Sequence, residues 1–496
     1  MVVRLMIGGR RALAIWVLLA ASGCGLARLN APLGAWDPNG GYRMGNLEDP
    51  GNSDSLLVIL TFSGGGTRAA ALAYGVLEEL RRTKITWEGR ERRLIDEVDL
   101  ISSISGGSFT AAYFGLFGDR IFDDYAIKFL YRDLEDALVA TLFRIPNATR
   151  LLFTNTTRSE IAADYYDEIL FEGKTFGDLL AHRRRPYLLI NATDLDVGTR
   201  FAFTQSQFDL LCSDLSRFPV SRAVAASAAF PVAFNPLTLR NFAGDCGYVP
   251  PGWMGRALEE ERRLATPDHE IARNALSYLQ PPPRDRPYVH LADGGIADNL
   301  GLRGPLQLLH TLDKSGPSDR DSIDLKRVRK VVLIIVNAVT RPSPESTRLE
   351  AAPGIFRVLQ VVANAPIDSV SRDTVDLVKT RLQVIEGLKL IEQAAPELRD
   401  RMDTSAYWPG GVAEAPDFSV AEVRFDALAD PAEREYFHAY PTSFYLPPRM
   451  IDDLRTVAAK LLCEQPAYAA LRRALGAKGG CEPGGAFGVD EALGDD

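Results

Sequence analysis

The chain has 496 residues, of which 46% are hydrophobic and 24% are charged, and its formal net charge at pH 7 is −9. This composition is typical of a globular protein that can bury a large core, and it excludes a mainly disordered chain. The net negative charge disfavours nucleic acid as a partner and disfavours binding to anionic surfaces through a basic patch. Length alone allows one large α/β domain with appendages or roughly two to four smaller domains.

The first part of the chain has the order of an export signal. Three arginines in the first eleven residues precede the apolar stretch 12–21, and small residues follow. That stretch is shorter than the ~20 apolar residues of a membrane-spanning helix. We therefore predict a signal peptide over residues 1–23, with an uncleaved anchor as an alternative.

The end of this segment, Ala21-Ser22-Gly23-Cys24, resembles the lipobox of bacterial lipoproteins. In such proteins the cysteine becomes the lipidated first residue of the mature chain, although here Ala21 stands where Leu is commonest. The resemblance implies a lipid on Cys24 and a membrane contact through it; a plain cleaved signal is the alternative. Because Gly25 and not an acidic residue follows, the pattern is similar to that of outer-membrane lipoproteins of the bacterial cell envelope.

An exported chain can form disulfides, and four further cysteines are present. Proximity in sequence favours Cys212 with Cys246 and Cys463 with Cys481, but four cysteines permit three pairings, and buried thiols are the alternative. The chain has no Cys-x-x-Cys motif, and its five histidines lack metal-ligand spacing, so we expect no zinc site. No oxygen-rich calcium loop is evident, and we expect no metal and no cofactor.

From residue 24 to residue 54 the chain is rich in turn-forming residues and predicts a linker or strap lying on the body. Strand-like and helix-like segments then alternate, as a parallel sheet requires. The predicted order is strand Leu56–Phe62, a glycine loop, helix Ala69–Arg82, strand Val98–Ile101, a tight turn and helix Ser108–Phe117.

The rest of the chain continues the alternation of strands and helices, with insertions between them. The predicted segments are a helical insertion or lid over 122–180, strands Pro186–Ala192 and Thr199–Thr204, helix Val220–Ala229, a surface insertion over 244–286, strands Tyr288–Ala292 and Val331–Val336, and helices near Ile355–Ala363 and Val375–Ala394. We place a catalytic domain at 55–340, a C-terminal helical extension packing on it at 341–475, and a flexible acidic tail at 476–496.

Two glycine-rich turns follow the first two core strands. Gly64, Gly65 and Gly66 precede a helix, whose free N–H groups can bind an anion. Ser105 lies in Ser103-Ile104-Ser105-Gly106-Gly107, a strand-turn-helix context that suits an exposed nucleophile. Each turn alone could be an ordinary loop, but no Lys-Ser or Lys-Thr follows the triplet, which disfavours a nucleotide-binding loop. Asp293, in Asp-Gly-Gly after a later strand, could be the base that a serine nucleophile needs.

These motifs occur in one order, and together they resemble the patatin-like phospholipase family. The likeness extends to Asn191-Ala192-Thr193-Asp194, to the segment 225–231 and to Pro441-Thr442-Ser443-Phe444. It covers residues 55–340, with weaker likeness to residue 463. The resemblance implies a three-layer α/β/α hydrolase with a mostly parallel central sheet and helical insertions, acting on acyl esters of lipids.

The resemblance also implies roles for single residues. Ser105 would be the nucleophile and Asp293 its base, in a dyad without histidine that works through an acyl-enzyme. The backbone N–H groups of Gly64, Gly65 and Gly66, with that of Gly106, would hold the oxyanion. Arg68 would order the loop or meet an anionic headgroup. This sequence departs from the family at two positions, with Ser63 where many relatives carry Asp and with Ser103 in place of Gly, and both departures put efficiency in doubt more than identity.

Three alternatives stay open. A Ser-His-Asp arrangement would need His290, His310 or His438, although a strand would turn His290 and Asp293 to opposite faces. An inactive lipoprotein could use the cleft to bind a lipid or a protein. An acyltransferase could use the same nucleophile with an alcohol acceptor.

Overall fold

The structure is a computed structural model of the chain. It describes residues 30–47, 51–154, 156–182, 184–231, 233–255, 267–279, 285–311, 327–341, 355–396, 402, 404, 407–408 and 411–481. The predicted signal peptide, Cys24 and most of the predicted acidic tail lie outside the described residues.

One large sheet forms the centre of the molecule, in the order β10-β9-β1-β4-β5-β8-β7 with β6 paired to β5. Strands β10, β9, β1, β4 and β5 run parallel, whereas β6, β7 and β8 pair in antiparallel fashion. The strands of this sheet are β1 Leu56–Phe62, β4 Val98–Ile104, β5 Tyr187–Asp194, β6 Thr199–Ala202, β7 Leu237–Arg240, β8 Tyr288–Asp293, β9 Lys330–Asn337 and β10 Asp417–Arg424. A separate hairpin pairs β2 Lys84–Trp87 with β3 Arg90–Arg93.

Helices cover the sheet on both faces, which gives a three-layer α/β/α fold with a mostly parallel sheet, as predicted. The helices are α1 Gly66–Arg82, α2 Gly106–Phe117, α3 Leu134–Phe143, α4 Ile145–Phe153, α5 Arg158–Tyr166, α6 Phe176–His182, α7 Gln205–Leu210, α8 Val220–Ser227, α9 Pro267–Leu279, α10 Gly295–Asp298, α11 Arg303–Thr311, α12 Ile355–Ala394, α13 Pro431–His438, α14 Pro448–Cys463 and α15 Pro466–Ala474. Two π-helical segments, Ile121–Leu130 and Asp167–Phe171, complete the helical insertion. In the described part of the chain, no helix combines the length and apolarity that a membrane span requires.

The central strands are buried along their whole length. Every residue of β1, β4 and β5 is buried, because helices pack on both faces and leave no solvent-exposed side. Strand β4 continues to Ile104, beyond the predicted end at Ile101, and so includes the polar residues Ser102 and Ser103. The side-chain amide of Asn191 donates to the Ser102 hydroxyl over 3.0 Å, which satisfies that oxygen inside the sheet.

Two predictions about the outer parts of the fold need correction. The extension predicted as helical, 341–475, contributes β10, which pairs in parallel with β9 and makes one edge of the sheet. The stretch 244–286 is more than a surface insertion, because Tyr278 of α9 is 2% exposed and its hydroxyl donates to buried Asp194 over 2.8 Å. Residues 256–266 and 280–284 of that stretch lie outside the described residues.

The segment 30–47 lies along the body as a strap. At its start, Asn30 exchanges two hydrogen bonds with the backbone of Arg240 in β7. Further along, Tyr42 is fully buried, and its hydroxyl accepts the N–H of Leu188 over 2.8 Å. The strap therefore begins beside β7 and runs along the flank to the start of β5.

Two disulfides join the four cysteines of the described region. Cys212 is bonded to Cys246, which ties the stretch after β7 to the loop after α7. Cys463 is bonded to Cys481, which ties the end of α14 to the chain that follows α15. Both pairings are the ones that sequence proximity favours.

Candidate active site

The turn between β4 and α2 holds Ser105 in a backbone conformation that side chains rarely adopt. Its φ is 48° and its ψ is −121°, and the residue is 8% exposed. Such strain persists only where the surroundings impose it, and it is common at strand-to-helix turns that present a nucleophile. The next two residues must be glycines because a Cβ on Gly107 would lie 2.7 Å from that of Phe62, and one on Gly106 would lie 2.0 Å from the carbonyl oxygen of Gly66.

A buried hydroxyl supports the strained turn from below. The N–H of Ser105 donates to the Oγ of Ser227 over 2.9 Å, and this Oγ donates to the carbonyl of Asn191 over 2.6 Å. The Ser108 hydroxyl is within 3.0 Å of the same oxygen and donates to Ser103. Ser103, one departure from the family pattern, is thus part of the network that fixes the turn. Ser227 is one of three polar residues in the alanine-rich helix α8, with Ser221 and Arg222, and nothing in the sequence distinguished it from the other two.

Asp293 ends β8 and faces Ser105. Its carboxylate accepts the N–H of Gly295 over 2.8 Å, and the Ser105 hydroxyl is near enough to act on its pKa. Burial raises the pKa of Asp293 from 3.8 to about 6, and the Gly295 N–H and the Ser105 hydroxyl oppose the increase. The side chain is therefore a carboxylate at neutral pH with a greater proton affinity than an ordinary aspartate.

The position of Asp293 is fixed through its backbone. Its N–H donates to the carbonyl of Ala229, and the N–H of Gly294 donates to the carbonyl of Ser227. The hydroxyl of Thr193 donates to the carbonyl of Asp293 over 2.8 Å. The end of α8 therefore holds both the nucleophile turn and the acid turn.

The histidines considered as alternative bases have other partners. His290 Nδ1 lies 3.0 Å from the hydroxyl of Thr238, across the β7–β8 pair. His438 Nε2 lies 3.2 Å from a carboxylate oxygen of Asp426. His310 is in α11, and its side chain lies outside the described residues. The carboxylate that the Ser105 hydroxyl faces is that of Asp293.

The glycine triplet lies beside Ser105 at the N-terminus of α1. Gly65, with φ of 138°, caps the helix, and Gly66, with φ of 61°, is its first residue. Gly106 is the first residue of α2. The N–H groups of these three glycines have no acceptor within their own helices, because the first N–H groups of a helix never do. They are the donors that can meet a negative charge on a reacting oxygen.

The structure corrects the prediction for Gly64. Its N–H donates to the carbonyl of Asn299 over 3.1 Å and is therefore already occupied. A Cβ at Gly64 would lie 2.6 Å from the Asn299 side-chain oxygen and 3.4 Å from the Ser105 Cβ. Gly64 thus provides room beside the nucleophile and couples the loop to the turn after Asp293.

Arg68 orders this loop. It is 3% exposed, and its guanidinium donates to the carbonyls of Ala338 and Tyr440 and to the hydroxyl of Thr442, over 2.7 to 2.9 Å. Of the two roles the resemblance implied for Arg68, these contacts favour the loop-ordering one. Ser63 contributes to the same junction, since its Oγ accepts the N–H of Ala338 over 2.9 Å.

Apolar and polar groups from three segments lie near the glycine loop and the acid turn. The N–H of Thr67 donates to the carbonyl of Ser443, so the segment 440–446 borders the glycine loop. The rings of Phe444 and Phe234 meet edge to face with centroids 5.8 Å apart. Ile296, just after the acid turn, is 38% exposed. Apolar side chains suited to contact with an acyl chain thus lie near the glycine loop and the acid turn.

One group of potential metal ligands occurs in the described residues, and it is remote from Ser105. Glu79, Cys463 and Cys481 bring a carboxylate and two sulfurs together. The two sulfurs are bonded to each other, so they are not available as thiolate ligands.

The three-layer α/β/α fold presents a serine on a strained turn, beside a buried carboxylate and two helix N-termini. This combination is typical of one class of serine acyl hydrolases. Residues 60–306 match the family model described as patatin-like phospholipase. The chain belongs to the patatin-like phospholipase family, a family of lipid acyl hydrolases, as its motifs predicted.

Solved structures similar to this chain include human GIVD cytosolic phospholipase A2, at 14% identity and a TM-score of 0.39, over 85% of this chain and 62% of that one. The same enzyme in complex with methyl gamma-linolenyl fluorophosphonate and terbium chloride aligns at 14% identity and a TM-score of 0.38, over 85% and 59%. The chain thus aligns with about three fifths of the length of these structures. No curated protein sequence matches the chain.

Proposed function

We propose that this protein hydrolyses acyl ester bonds of lipids with a Ser105–Asp293 dyad. The observation that carries the proposal is the position of the Ser105 hydroxyl beside the buried Asp293 carboxylate, on a strained turn facing the N-termini of α1 and α2. Serine is a weak nucleophile unless a base accepts its proton, and Asp293 is in position to do so. The substrate class follows from the family.

The first half of the reaction forms an acyl-enzyme. Asp293 takes the hydroxyl proton as the Ser105 oxygen attacks the ester carbonyl carbon. The negative charge that develops on the carbonyl oxygen faces the N–H groups of Gly65, Gly66 and Gly106. The tetrahedral intermediate then expels the alcohol, which receives the proton from Asp293, and the acyl group stays on Ser105.

Water completes the cycle. Asp293 takes a proton from a water molecule, whose oxygen attacks the acyl carbonyl, and the same N–H groups meet the second oxyanion. Collapse of this intermediate releases the fatty acid and returns the proton to Ser105. A base with a pKa of about 6 is suited to both proton transfers, because it is ionised at neutral pH yet accepts a proton more readily than an ordinary aspartate.

The experiment compares wild type with Ser105→Ala and Asp293→Asn on a phospholipid and on a soluble short-chain ester. Both variants are expected to lose more than about a thousandfold of activity, because nucleophile and base act as one unit. The exposed acid Asp196 supplies a matched control, since Asp196→Asn leaves the dyad intact and should retain wild-type rates. Wild-type turnover in either dyad variant would refute the mechanism. Release of free fatty acid in the presence of an alcohol acceptor distinguishes hydrolysis from acyl transfer.

We also propose that the protein is a lipoprotein of the bacterial cell envelope, anchored in the outer membrane through a lipid on Cys24. The lipobox-like residues support this, and the two disulfides fit an oxidising compartment. Incorporation of labelled palmitate into wild type, and its loss in Cys24→Ala, is the expected result. Equal labelling of both would rule out Cys24 as the attachment site.

A further inference from the structure

We propose that the catalytic end of the sheet faces a phospholipid membrane, and that exposed apolar side chains of α3 and α4 enter the lipid surface there. The four side chains that form this apolar patch are Val139, Phe143, Ile145 and Leu152. The proposal rests on the proposed function in two respects, namely that the substrate is a lipid of that membrane and that Cys24 carries a lipid.

The apolar patch is unusually exposed for its composition. Val139 and Phe143 are each 52% exposed, Leu152 is 58% exposed and Ile145 is 80% exposed. Single exposed apolar residues are normal on soluble proteins, but four within fourteen residues of one helical hairpin indicate an interaction site. The opposite side of α3 is buried in the core through Leu134 and Leu138.

The charge of residues 137–152, which include the apolar patch, differs in sign from that of the whole chain. Residues 137–152 contain Arg144 and Arg150 but no acidic residue, whereas the chain has more acidic than basic residues. Arg150 pairs with Asp164, while Arg144 is exposed between Phe143 and Ile145. An apolar surface with a cation at its edge matches lipid acyl chains below a layer of phosphates.

The helix that carries part of the patch is linked at its start to the glycine loop. At the start of α3, the carboxylate of Glu135 accepts the hydroxyl of Ser443 over 2.6 Å and the N–H of Phe444 over 3.0 Å. Ser443 in turn accepts the N–H of Thr67 in the glycine loop. A membrane that contacts the patch therefore lies on the side of the molecule where α3 meets the glycine loop.

The N-terminal part of the chain enters at this same end. Asn30 binds the backbone of Arg240, which pairs with Tyr288 at the start of β8. From Tyr288, strand β8 runs for five residues, about 17 Å, antiparallel to β5 until it reaches Asp293. Asn30 is thus fixed beyond the ends of the parallel strands, on the side of the active site.

This geometry limits where a lipid on Cys24 could lie. Five residues lie between Cys24 and Asn30, and the six Cα–Cα steps that join them span at most about 20 Å. A membrane anchor on such a tether holds the catalytic end, and not the opposite end, near the bilayer. The apolar patch and a lipid on Cys24 would then contact the same membrane surface.

The test uses the full chain carrying Cys24→Ala, so that no lipid masks binding by the patch. The double substitution Phe143→Ser with Ile145→Ser is compared with this parent for sedimentation with phosphatidylcholine–phosphatidylglycerol vesicles. We expect at least a tenfold loss of vesicle binding, because two large apolar side chains are lost from the contact. Hydrolysis of vesicle lipid should fall in parallel, while hydrolysis of a soluble short-chain ester should not change.

Leu390 supplies the matched control. It is 65% exposed on α12, and its neighbour Lys389 contacts the carbonyl of Pro416 at the start of β10, at the opposite end of the sheet. Leu390→Ser should therefore bind vesicles like the parent. Unchanged vesicle binding by the double variant, an equal loss with Leu390→Ser, or a change of mass in light scattering that shows the patch joins two copies would each overturn the proposal. If the parent hydrolyses neither substrate, the proposed function fails, and the sedimentation result still decides the membrane-facing surface.

Discussion

The backbone N–H of Ser105 donates to the side-chain oxygen of Ser227 over 2.9 Å, and the carbonyl of Ser227 accepts the N–H of Gly294, next to Asp293. One residue at the end of α8 thus contacts the turns that carry both members of the dyad. Ser227 is fully buried and does not touch the substrate position directly. Its role is to hold the nucleophile turn in register with the base.

Replacing Ser227 with alanine removes the acceptor of the Ser105 N–H. We expect kcat to fall about tenfold with little change in KM, because a lost buried hydrogen bond costs about 1–2 kcal/mol and the strained turn can relax. Steady-state kinetics on a soluble ester measures this split. Thr110→Ala is the control, since Thr110 is an equally buried hydroxyl of α2 that bonds Ala70 and Tyr125 instead. A drop in stability without a drop in kcat for Ser227→Ala would reduce its role to packing.

The raised pKa of Asp293 predicts the pH dependence of the reaction. Because the carboxylate is the active form, kcat/KM should rise with pH and level off above a midpoint of about 6. An unperturbed aspartate would leave the rate flat above about pH 5. Rates between pH 4.5 and pH 8 on a soluble ester show which of the two holds.

The same pKa shift predicts the effect of Asp293→Asn on stability. A folded-state pKa raised from 3.8 to about 6 favours the folded protein below the lower value, and that contribution is lost as pH rises through the higher one. The wild type should therefore lose stability between about pH 4 and pH 6, by up to about 3 kcal/mol. Asp293→Asn should remove this loss and unfold at a higher temperature than wild type at pH 7.5. A lower melting temperature for the variant would contradict the buried charge.

Gly106→Ala tests the donors for the oxyanion. The new methyl group would lie 2.0 Å from the carbonyl oxygen of Gly66 and 2.8 Å from its nitrogen, so the two helix N-termini must separate. We expect a loss of about a hundredfold or more in kcat, as for removal of one oxyanion donor. Gly89→Ala, at a loop glycine with φ of 76° and open space around it, controls for backbone strain without such a clash. Similar losses in both variants would argue against a specific role for Gly106.

The disulfide between Cys212 and Cys246 should contribute more to stability than the one between Cys463 and Cys481. It closes a loop of 34 residues against 18, and loop-closure entropy gives about 3.8 and 3.2 kcal/mol respectively. Chemical denaturation of paired Cys→Ser variants measures both. Neither substitution touches the dyad, so kcat of the folded variants should stay near that of wild type.

The sequence predicted the elements whose local pattern agrees with their place in the fold. The apolar run Leu56–Phe62 and the glycines after it lie in a buried strand and a helix start, because a strand covered on both faces needs such a run. Ser105 and Asp293 could be named because small residues surround each of them at strand ends. The family likeness then linked these two distant turns.

Other features depend on contacts between distant segments and had no clear local signal. Strand β10 reads as a mixed polar segment, and only pairing with β9 makes it part of the sheet. The predicted strand ended at Ile101, but β4 includes Ser102 and Ser103, whose side chains are satisfied by Asn191 and Ser108 inside the fold. The occupied N–H of Gly64 likewise depends on Asn299, a residue far along the chain.

The central claim is that Ser105 is a nucleophile activated by Asp293. The most direct measurement is mass spectrometry of the folded protein after reaction with a fluorophosphonate, which modifies activated serines. We expect one adduct on the peptide that contains Ser105, none in Ser105→Ala, and labelling slowed by more than about a hundredfold in Asp293→Asn. An adduct on a different serine, or wild-type labelling of Ser105 in Asp293→Asn, would contradict the claim.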